Sequence, residues 1–331
     1  MMRQLIQSFP AQLREALSLA AAITVPPTDR EFHQIVVAGM GGSGIGADFV
    51  AAFIRPACKI PLLVVKEYDL PAYVDDHTLL IASSYSGNTE ETLAACQQAL
   101  ERKARVVAIT SGGKLGDMAG SHGWDLVPLP PGQPAPRACL GYSLVAQLSV
   151  LVKMGFAAPA ILEEVAAAAE LLEADQELFH EKAQQIAGFL RDKITVIYST
   201  SPLEPVALRF RQQLAENAKM LAWHHVIPEM NHNELVGWRR DQPGLVAMFL
   251  RYSGESPSNK LRMQITREVV SEFASGRMEI TGKGESLAEQ ALFLVHLFDW
   301  VSYYLAELQG LDAMEIKIID YLKEEIARGK R

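Results

Sequence analysis

Two short apolar runs in this chain lead into the same tripeptide. Leu79–Ala82 continues to Tyr85-Ser86-Gly87, Leu245–Leu250 continues to Tyr252-Ser253-Gly254, and a helical pattern follows each. A brief apolar run that ends in turn residues reads as a buried strand, and a strand–turn–helix unit that recurs reads as duplication. The rest of the chain extends the match. In the first half Gln34–Ala38 (QIVVA), Pro61–Val65, Leu79–Ala82 and Arg105–Ile109 read as strands, with helical patterns such as Thr89–Leu100 between them. In the second half Ile194–Tyr198 (ITVIY) is a strand, followed by a Ser/Thr/Pro turn and a helix from about Glu204 to Leu221. VVAIT at 106–110 has a counterpart in MEIT at 278–281. The offsets are similar but unequal, so the loops differ in length. This βαβ rhythm implies α/β architecture, a parallel sheet with helices on both faces, present twice.

A chain of 331 residues suits two such domains. The expected boundaries are an N-terminal domain over 1–155, a helical connection over 156–185 and a C-terminal domain over 186–331. Pro159–Phe179 is rich in Ala, Glu and Leu, which fits a bridging helix. Val127–Arg137 (VPLPPGQPAPR) holds five prolines. Proline has no amide donor and a fixed φ, so this segment is expected as an ordered or extended loop and not a strand interior. Glu285–Gln309 is apolar almost all round, the pattern of a helix buried in the core or in a subunit interface.

The formal net charge of -8 argues against nucleic-acid binding, which usually needs a basic face. It leaves room for a small anionic substrate, because a few local donors hold a phosphate. Cys58, Cys96 and Cys139 are odd in number and lack metal or redox spacing, which suits a reducing compartment. The N-terminus lacks the long apolar core of a signal peptide, and Ala16–Val25 is too short to cross a bilayer. A cytoplasmic protein without membrane or nucleic-acid partners is therefore expected.

Two loops carry candidate chemistry. Gly39-Met40-Gly41-Gly42-Ser43-Gly44 follows a strand and matches G-x-G-x-x-G. Taken literally this is a dinucleotide fingerprint, with Glu67 roughly placed as the ribose acid. The physics behind such loops is broader: glycines let backbone approach an anion, and the next helix presents amides and a positive end. The second loop, Ser83-Ser84-Tyr85-Ser86-Gly87-Asn88-Thr89, sets four hydroxyl side chains beside a helix N-terminus. Hydroxyls with amides suit a terminal phosphate monoester; the alternative is an elaborate helix cap. The second-half copy, YSGESPS, keeps Ser and Gly but lacks the Asn-Thr pair, which suits a structural role.

The S-x-S-G-x-T loop after a strand resembles the SIS (sugar isomerase) phosphosugar-binding domain. Together with GMGGSG, SYSGNTEET, PRACLGY, ENAK and PEMNHNELVGW, the chain resembles the bifunctional phosphoglucose/phosphomannose isomerase family over nearly its whole length. ENAK followed by NHNE is the part most specific to that family. The resemblance implies two tandem SIS domains, each an αβα sandwich. It also implies a cofactor-independent intramolecular oxidoreductase of carbohydrate metabolism that interconverts glucose 6-phosphate or mannose 6-phosphate with fructose 6-phosphate. Carried over motif by motif, Gly42 and Ser43 in GGSG, and Ser84, Ser86 and Thr89 in SYSGNT, hold the phosphate. Arg137 faces the reacting carbons, and Glu216 of ENAK is the base. His232 of NHNE helps open the sugar ring and comes from the partner subunit of a homodimer. A C-terminal lysine completes the site. IIDYLK points to Lys323, with Lys317 as the alternative because Gly310-Leu311-Asp312 runs into Ala-Met-Glu where the family has a proline-containing stretch.

The residue types fit the reaction. Aldose–ketose isomerisation moves a proton between C1 and C2 through an enediol and needs a base with a nearby positive group. On the helix carrying Glu216, the residues Leu203, Val206, Phe210, Leu214 and Leu221 form the apolar stripe; Glu216 points away from it, toward a cleft or toward water. Arg137 is permanently charged, and histidine titrates near neutrality. His224, His225, Glu229, His232 and Glu234 lie close in sequence, but adjacent histidines rarely reach one ion and the spacing is not H-x-x-x-H, so no metal is expected. The reaction is internally redox-neutral, so no cofactor is expected either. The competing readings are a non-catalytic SIS phosphosugar sensor, an isomerase of another phosphosugar, an aminosugar synthase and a nicotinamide oxidoreductase. A sensor would normally carry a DNA-binding or partner-binding appendage, and no basic helix-turn-helix segment is visible; a synthase would need a cysteine near the start, whereas the first here is Cys58.

Overall fold

The structure, a computed structural model, describes residues 1–26 and 28–329. Pro27 and residues 330–331, the last of the expected C-terminal domain, lie outside the described residues. In chain order the helices are α1 (Met2–Gln7), α2 (Phe9–Ala21), α3 (Gly41–Ile54), α4 (Glu90–Glu101), α5 (Gly113–His122) and α6 (Leu140–Lys153). They continue with α7 (Ala160–Ala174), α8 (Gln176–Leu190), α9 (Glu204–Ala218), α10 (Pro257–Ser271), α11 (Leu287–Leu308) and α12 (Lys317–Gly329). The strands are β1 (Gln34–Ala38), β2 (Leu62–Val65), β3 (Thr78–Ser83), β4 (Arg105–Thr110), β5 (Asp125–Pro128), β6 (Ile194–Thr200), β7 (Ala222–Ile227), β8 (Gln242–Arg251) and β9 (Ala274–Thr281).

The strands form two parallel sheets, of order β2-β1-β3-β4-β5 and β7-β6-β8-β9. Superposing β6 on β1, β7 on β2, β8 on β3 and β9 on β4 turns the second order into the first without its last strand. The two Tyr-Ser-Gly turns thus follow equivalent strands, and VVAIT and MEIT lie in the equivalent strands β4 and β9. Each sheet is the flavodoxin-like order, in which the crevice lies at the carboxyl ends of the two strands where the order reverses. Those strands are β1 and β3 in one sheet, β6 and β8 in the other.

Two compact units result. The N-terminal unit holds Ser8–Ala174 and Lys283–Phe293; the C-terminal unit holds Met1–Gln7, Asp175–Gly282 and the chain from Leu294 onward. Neither is a continuous stretch, and the division falls at Ala174/Asp175, within the expected connection of 156–185. There α7 and α8 are interrupted at Asp175. The core of the N-terminal unit includes Val36, Leu80, Ala95 and Val106, and that of the C-terminal unit Val196, Tyr198, Phe249 and Met263. Val and Ile on β1 and β3 are fully buried, as strands covered on both faces require.

Among the described residues one helix, Leu287–Leu308, is long and apolar enough to cross a membrane by length and composition, but most of it is buried inside the fold. Its Phe293, Phe298 and Trp300 are among the largest fully enclosed side chains. Two boundaries differ from the sequence reading. β5 takes the first two residues of the proline-rich segment, because Pro128 lies on an edge strand where one missing donor is tolerated. The helix expected to reach Leu221 stops at Ala218. Lys219 turns left-handed at φ 55° and Met220 N–H bonds back across it to Leu214 O at 3.0 Å, which closes the helix end.

Candidate active site

In the N-terminal unit the two candidate loops meet at the β1/β3 crevice. β1 ends at Ala38, and a side chain on Gly39 would stand 2.8 Å from Ser83 O at the end of β3. That close approach is what the glycine permits. α3 then starts at Gly41 and α4 at Glu90, so two helix N-termini with their positive ends open on one crevice. Neither N-cap residue, Met40 or Thr89, gives its helix a side-chain cap. Thr89 Oγ1 instead lies 2.8 Å from Ser84 Oγ, so these two hydroxyls form one polar edge. Ser86 is exposed on the same loop, and its Oγ accepts Asn88 N–H at 3.3 Å.

The serine loop is braced from behind. Gly87 takes φ +66°, and a Cβ there would lie 1.8 Å from Gly112 O. Ser111 Oγ–H donates to Tyr85 O at 2.7 Å, and Leu115 N–H donates to Gly87 O at 2.9 Å. Tyr85 O–H donates to Pro130 O at 2.7 Å and accepts Gln133 N–H at 3.0 Å, so one phenol pins the proline-rich segment to the loop. That segment ends at Arg137, 7% exposed on a short 3-10 turn. Pro136 O packs where a Cβ on Gly42 would be 2.8 Å away, which sets the Arg137 turn against the start of α3. Gln12 holds the turn from the other side, donating to Ala138 O and accepting Gly141 N–H, both at 2.8 Å. Gly42, Ser43, Ser84, Ser86, Thr89 and Arg137 thus gather at one crevice.

Sequence reasoning passed over three supporting residues. Gln147 on α6 is buried, with Nε2 3.2 Å from Ser43 O, 3.3 Å from Ser83 Oγ and 2.8 Å from Ser143 Oγ, so it ties both loops together. A polar residue inside an apolar helix was the available signal. Lys66 at the end of β2 pairs with Asp48 of α3, and a Cβ on Gly44 would meet Lys66 Cε at 3.2 Å. Burial pushes the Asp48 carboxyl up, and Lys66 pulls it back. No spacing rule in the sequence joins these two.

The equivalent corner of the C-terminal unit is filled from within. Its turn has the same length, so Arg251 stands where Ser84 does and Glu255 where Asn88 does. The Glu255 side chain is 0% exposed; it accepts from Arg251 Nη2 at 2.7 Å, from Arg251 Nε at 2.9 Å and from Tyr252 N–H at 3.3 Å. Ser256 caps α10 by accepting Asn259 N–H. The corner already holds its own carboxylate.

The remaining candidates lie in the C-terminal unit. Glu216 is half-buried near the C-terminus of α9. Its neighbours Gln213 and Asn217 face inward, Gln213 Nε2 donating to Asp299 Oδ1 at 3.0 Å and Asn217 Nδ2 to Ser302 Oγ at 2.9 Å. Lys219 of ENAK caps the helix end. Its Nζ reaches Glu216 O and Glu315 O at 2.8 Å and Asp312 O at 3.0 Å, a cation on carbonyls at a helix C-terminus. His232 is exposed on a 3-10 turn over Glu229–His232. Lys317 and Lys323 are both exposed on α12.

The histidine-rich stretch makes ordinary polar contacts. His225 Nδ1 lies 3.1 Å from Glu234 Oε2, and His224 Nε2 lies 3.9 Å from Glu204 Oε1. Burial, with Arg211 and His225 adding to it, pushes His224 down to about 4, so it is neutral near pH 7. Among the described residues no group of three or more His, Cys, Asp or Glu is arranged to hold a metal ion.

Doubled flavodoxin-like sheets, with a hydroxyl-lined loop at one switch point, define a tandem SIS-domain protein. The profile of the SIS domain matches residues 30–128, and that of the Bacterial phospho-glucose isomerase C-terminal SIS domain matches residues 179–326. A Bifunctional phosphoglucose/phosphomannose isomerase of Caldicellulosiruptor bescii is 38% identical over 335 residues, covering 98% of each chain. A protein of the same name from Aquifex aeolicus is 36% identical over 300 residues, covering 90% of this chain and 91% of its own. A crystal structure of a Clostridium difficile 630 protein superposes with TM-score 0.76 at 14% identity, covering 96% of this chain and 95% of its own, which is a likeness of fold. The chain belongs to the phosphosugar isomerase family of SIS-domain proteins.

Proposed function

We propose that the chain interconverts glucose 6-phosphate and mannose 6-phosphate with fructose 6-phosphate through an enediol. The observation that carries this reading is the β1/β3 crevice, where two helix N-termini meet the paired hydroxyls of Ser84 and Thr89 beside the buried Arg137. Ser43, Ser84, Ser86, Thr89 and the backbone at Gly42 take the phosphate. Arg137 steadies the oxygens of the enediolate as negative charge develops. Glu216 removes the C2 proton of the aldose and returns it at C1, while the hydroxyl proton on O2 passes to O1, so the substrate is isomerised without net redox change. His232, supplied by the partner subunit of a homodimer, moves the proton that opens the ring, and Lys323, or Lys317 in its place, adds positive charge. No cofactor enters this scheme. Cytoplasmic carbohydrate metabolism is where such a reaction belongs.

The test is direct: purified chain with a chelator present, given glucose 6-phosphate and mannose 6-phosphate separately, with fructose 6-phosphate measured. Formation from both is expected. Phosphosugar binding without turnover would favour a sensor, and turnover of another phosphosugar alone would redirect the substrate.

Ser86→Ala combined with Thr89→Ala is expected to raise KM for the hexose phosphates about tenfold or more while kcat changes little, as for lost binding that is uniform along the reaction. Steady-state kinetics check this, and an unchanged KM would move the phosphate elsewhere.

A further inference from the structure

His232 is exposed, yet the chain on both sides of it is tied down. Met230 is fully buried, and Asn231 Nδ2 donates to Thr266 Oγ1 at 2.7 Å. Asn233 Nδ2 donates to Glu229 O at 3.2 Å and to Glu229 Oε1 at 2.9 Å, while Asn233 Oδ1 accepts Glu234 N–H at 2.6 Å. The strongest tether is Glu234 itself. Its Oε1 accepts the Tyr198 hydroxyl at 2.5 Å, and its Oε2 faces His225 Nδ1 at 3.1 Å. A carboxylate only accepts, so His225 carries its proton on Nδ1. Tyr198 belongs to the core strand β6 and is fully buried; Trp238 Nε1–H donates to the same phenol oxygen at 2.9 Å. Burial first, and the Glu234 carboxylate second, push the Tyr198 phenol far up, so it remains a donor at every ordinary pH.

Both oxygens of Glu234 are therefore fixed, to β6 through Tyr198 and to β7 through His225. The residue lies two positions beyond His232. Holding the turn to the core alone would need only an apolar anchor, which Met230 already supplies. A doubly held carboxylate also removes rotation of the turn about that anchor. An imidazole that must reach a ring oxygen has to be held within about 0.5 Å and 10–20°.

We propose that Tyr198 and Glu234 are positioning residues that set His232 for ring opening, an inference that rests on the role given to His232 above. Ring opening can be read separately from isomerisation. Exchange between the α and β anomers of glucose 6-phosphate, followed by NMR, needs ring opening and no C–H cleavage. The primary isotope effect with glucose 6-phosphate deuterated at C2 reports how far C–H cleavage limits turnover.

In Tyr198→Phe and Glu234→Ala, enzyme-catalysed anomer exchange is expected to fall about 10²-fold, the scale of a 1 Å misplacement. KM should change by less than about threefold, and the C2 isotope effect should shrink toward unity because ring opening now limits turnover. Glu234→Gln should keep most of the anomer exchange, since its amide accepts from Tyr198 and donates to the other tautomer of His225. Tyr198→Phe preserves the buried ring, and Glu234 is partly exposed; if one variant fails to fold, the other decides. Anomer exchange at the wild-type rate in either folded variant overturns the proposal. So does a loss of turnover with an undiminished isotope effect, because that is general damage. A wild-type protein without isomerase activity would overturn the parent reading and this one together; an active wild type with unaffected variants overturns this one alone.

Discussion

Glu216→Gln is expected to lower kcat by about 10²–10⁴ while hexose-phosphate binding stays close to normal. Glutamine keeps the size and one acceptor of glutamate but cannot take a proton from carbon. Glu216 occupies the last turn of α9, where Gln213 and Asn217 on either side are buried and bonded to α11. Its own backbone carbonyl is held by Lys219, which also reaches Asp312 O and Glu315 O. The backbone that presents this carboxylate is thus fixed from three directions, which suits a group that must meet one carbon. Circular dichroism and thermal midpoint serve as the controls for folding of the variant. Steady-state kinetics give kcat, and isothermal titration with a phosphosugar gives binding; near-normal turnover would remove Glu216 from the role. The variant also serves the dimer proposal. Mixed with a His232→Ala chain, it should regain activity through hybrids that pair one intact base with one intact histidine. No recovery after verified subunit exchange would count against a shared site.

The strands with near-continuous apolar runs were legible because burial on both faces leaves a plain signature: QIVVA, TLLIAS and ITVIY lie in β1, β3 and β6. Two of the four edge strands, β5 and β7, were not. β7 is AWHHVI, half-buried over most of its length, and its two histidines drew attention as metal candidates instead. β5 ends on a proline that only an edge position excuses. Loops showed themselves by composition: glycine and hydroxyl residues after a strand mark an anion crevice, and the Ser84–Thr89 contact follows from that placement. What holds those loops was hidden, because Tyr85 to Pro130 and Gln147 to Ser43 join residues far apart in the chain with no periodicity to announce them. Glu255 shows the limit most clearly. YSGESPS reads as a weakened copy of SYSGNT, and only the fold reveals that its glutamate occupies the corner, bound to Arg251. The exchange of Met1–Gln7 and Lys283–Phe293 between units is likewise tertiary and left no local trace.

Asp299→Ala is expected to destabilise the protein by about 3–5 kcal/mol, the usual consequence of removing one partner of a buried ion pair. Asp299 on α11 and Arg209 on α9 have side chains 7% and 4% exposed, with Arg209 Nη2 2.6 Å from Asp299 Oδ2. The other oxygen accepts from Gln213, so the carboxylate collects two bonds from one face of α9. Alanine removes this counter-charge while the guanidinium stays in a place with little water, and a buried charge is far dearer than a buried methyl. Against a total stability of about 5–15 kcal/mol the loss is large enough to read by urea denaturation. The double variant Arg209→Met with Asp299→Leu is expected to recover most of it, because apolar side chains of similar size avoid the desolvation altogether. A single-variant loss below about 1 kcal/mol would mean that the pair behaves like an exposed surface bridge. The two variants should also separate stability from chemistry. Glu216 lies two turns beyond Arg209 on the same helix, and Asn217 fastens the last turn to Ser302 independently. If that last turn alone sets the base, the double variant regains stability and kcat together. If Arg209–Asp299 also fixes the helix's position on α11, the double variant regains stability and leaves kcat depressed.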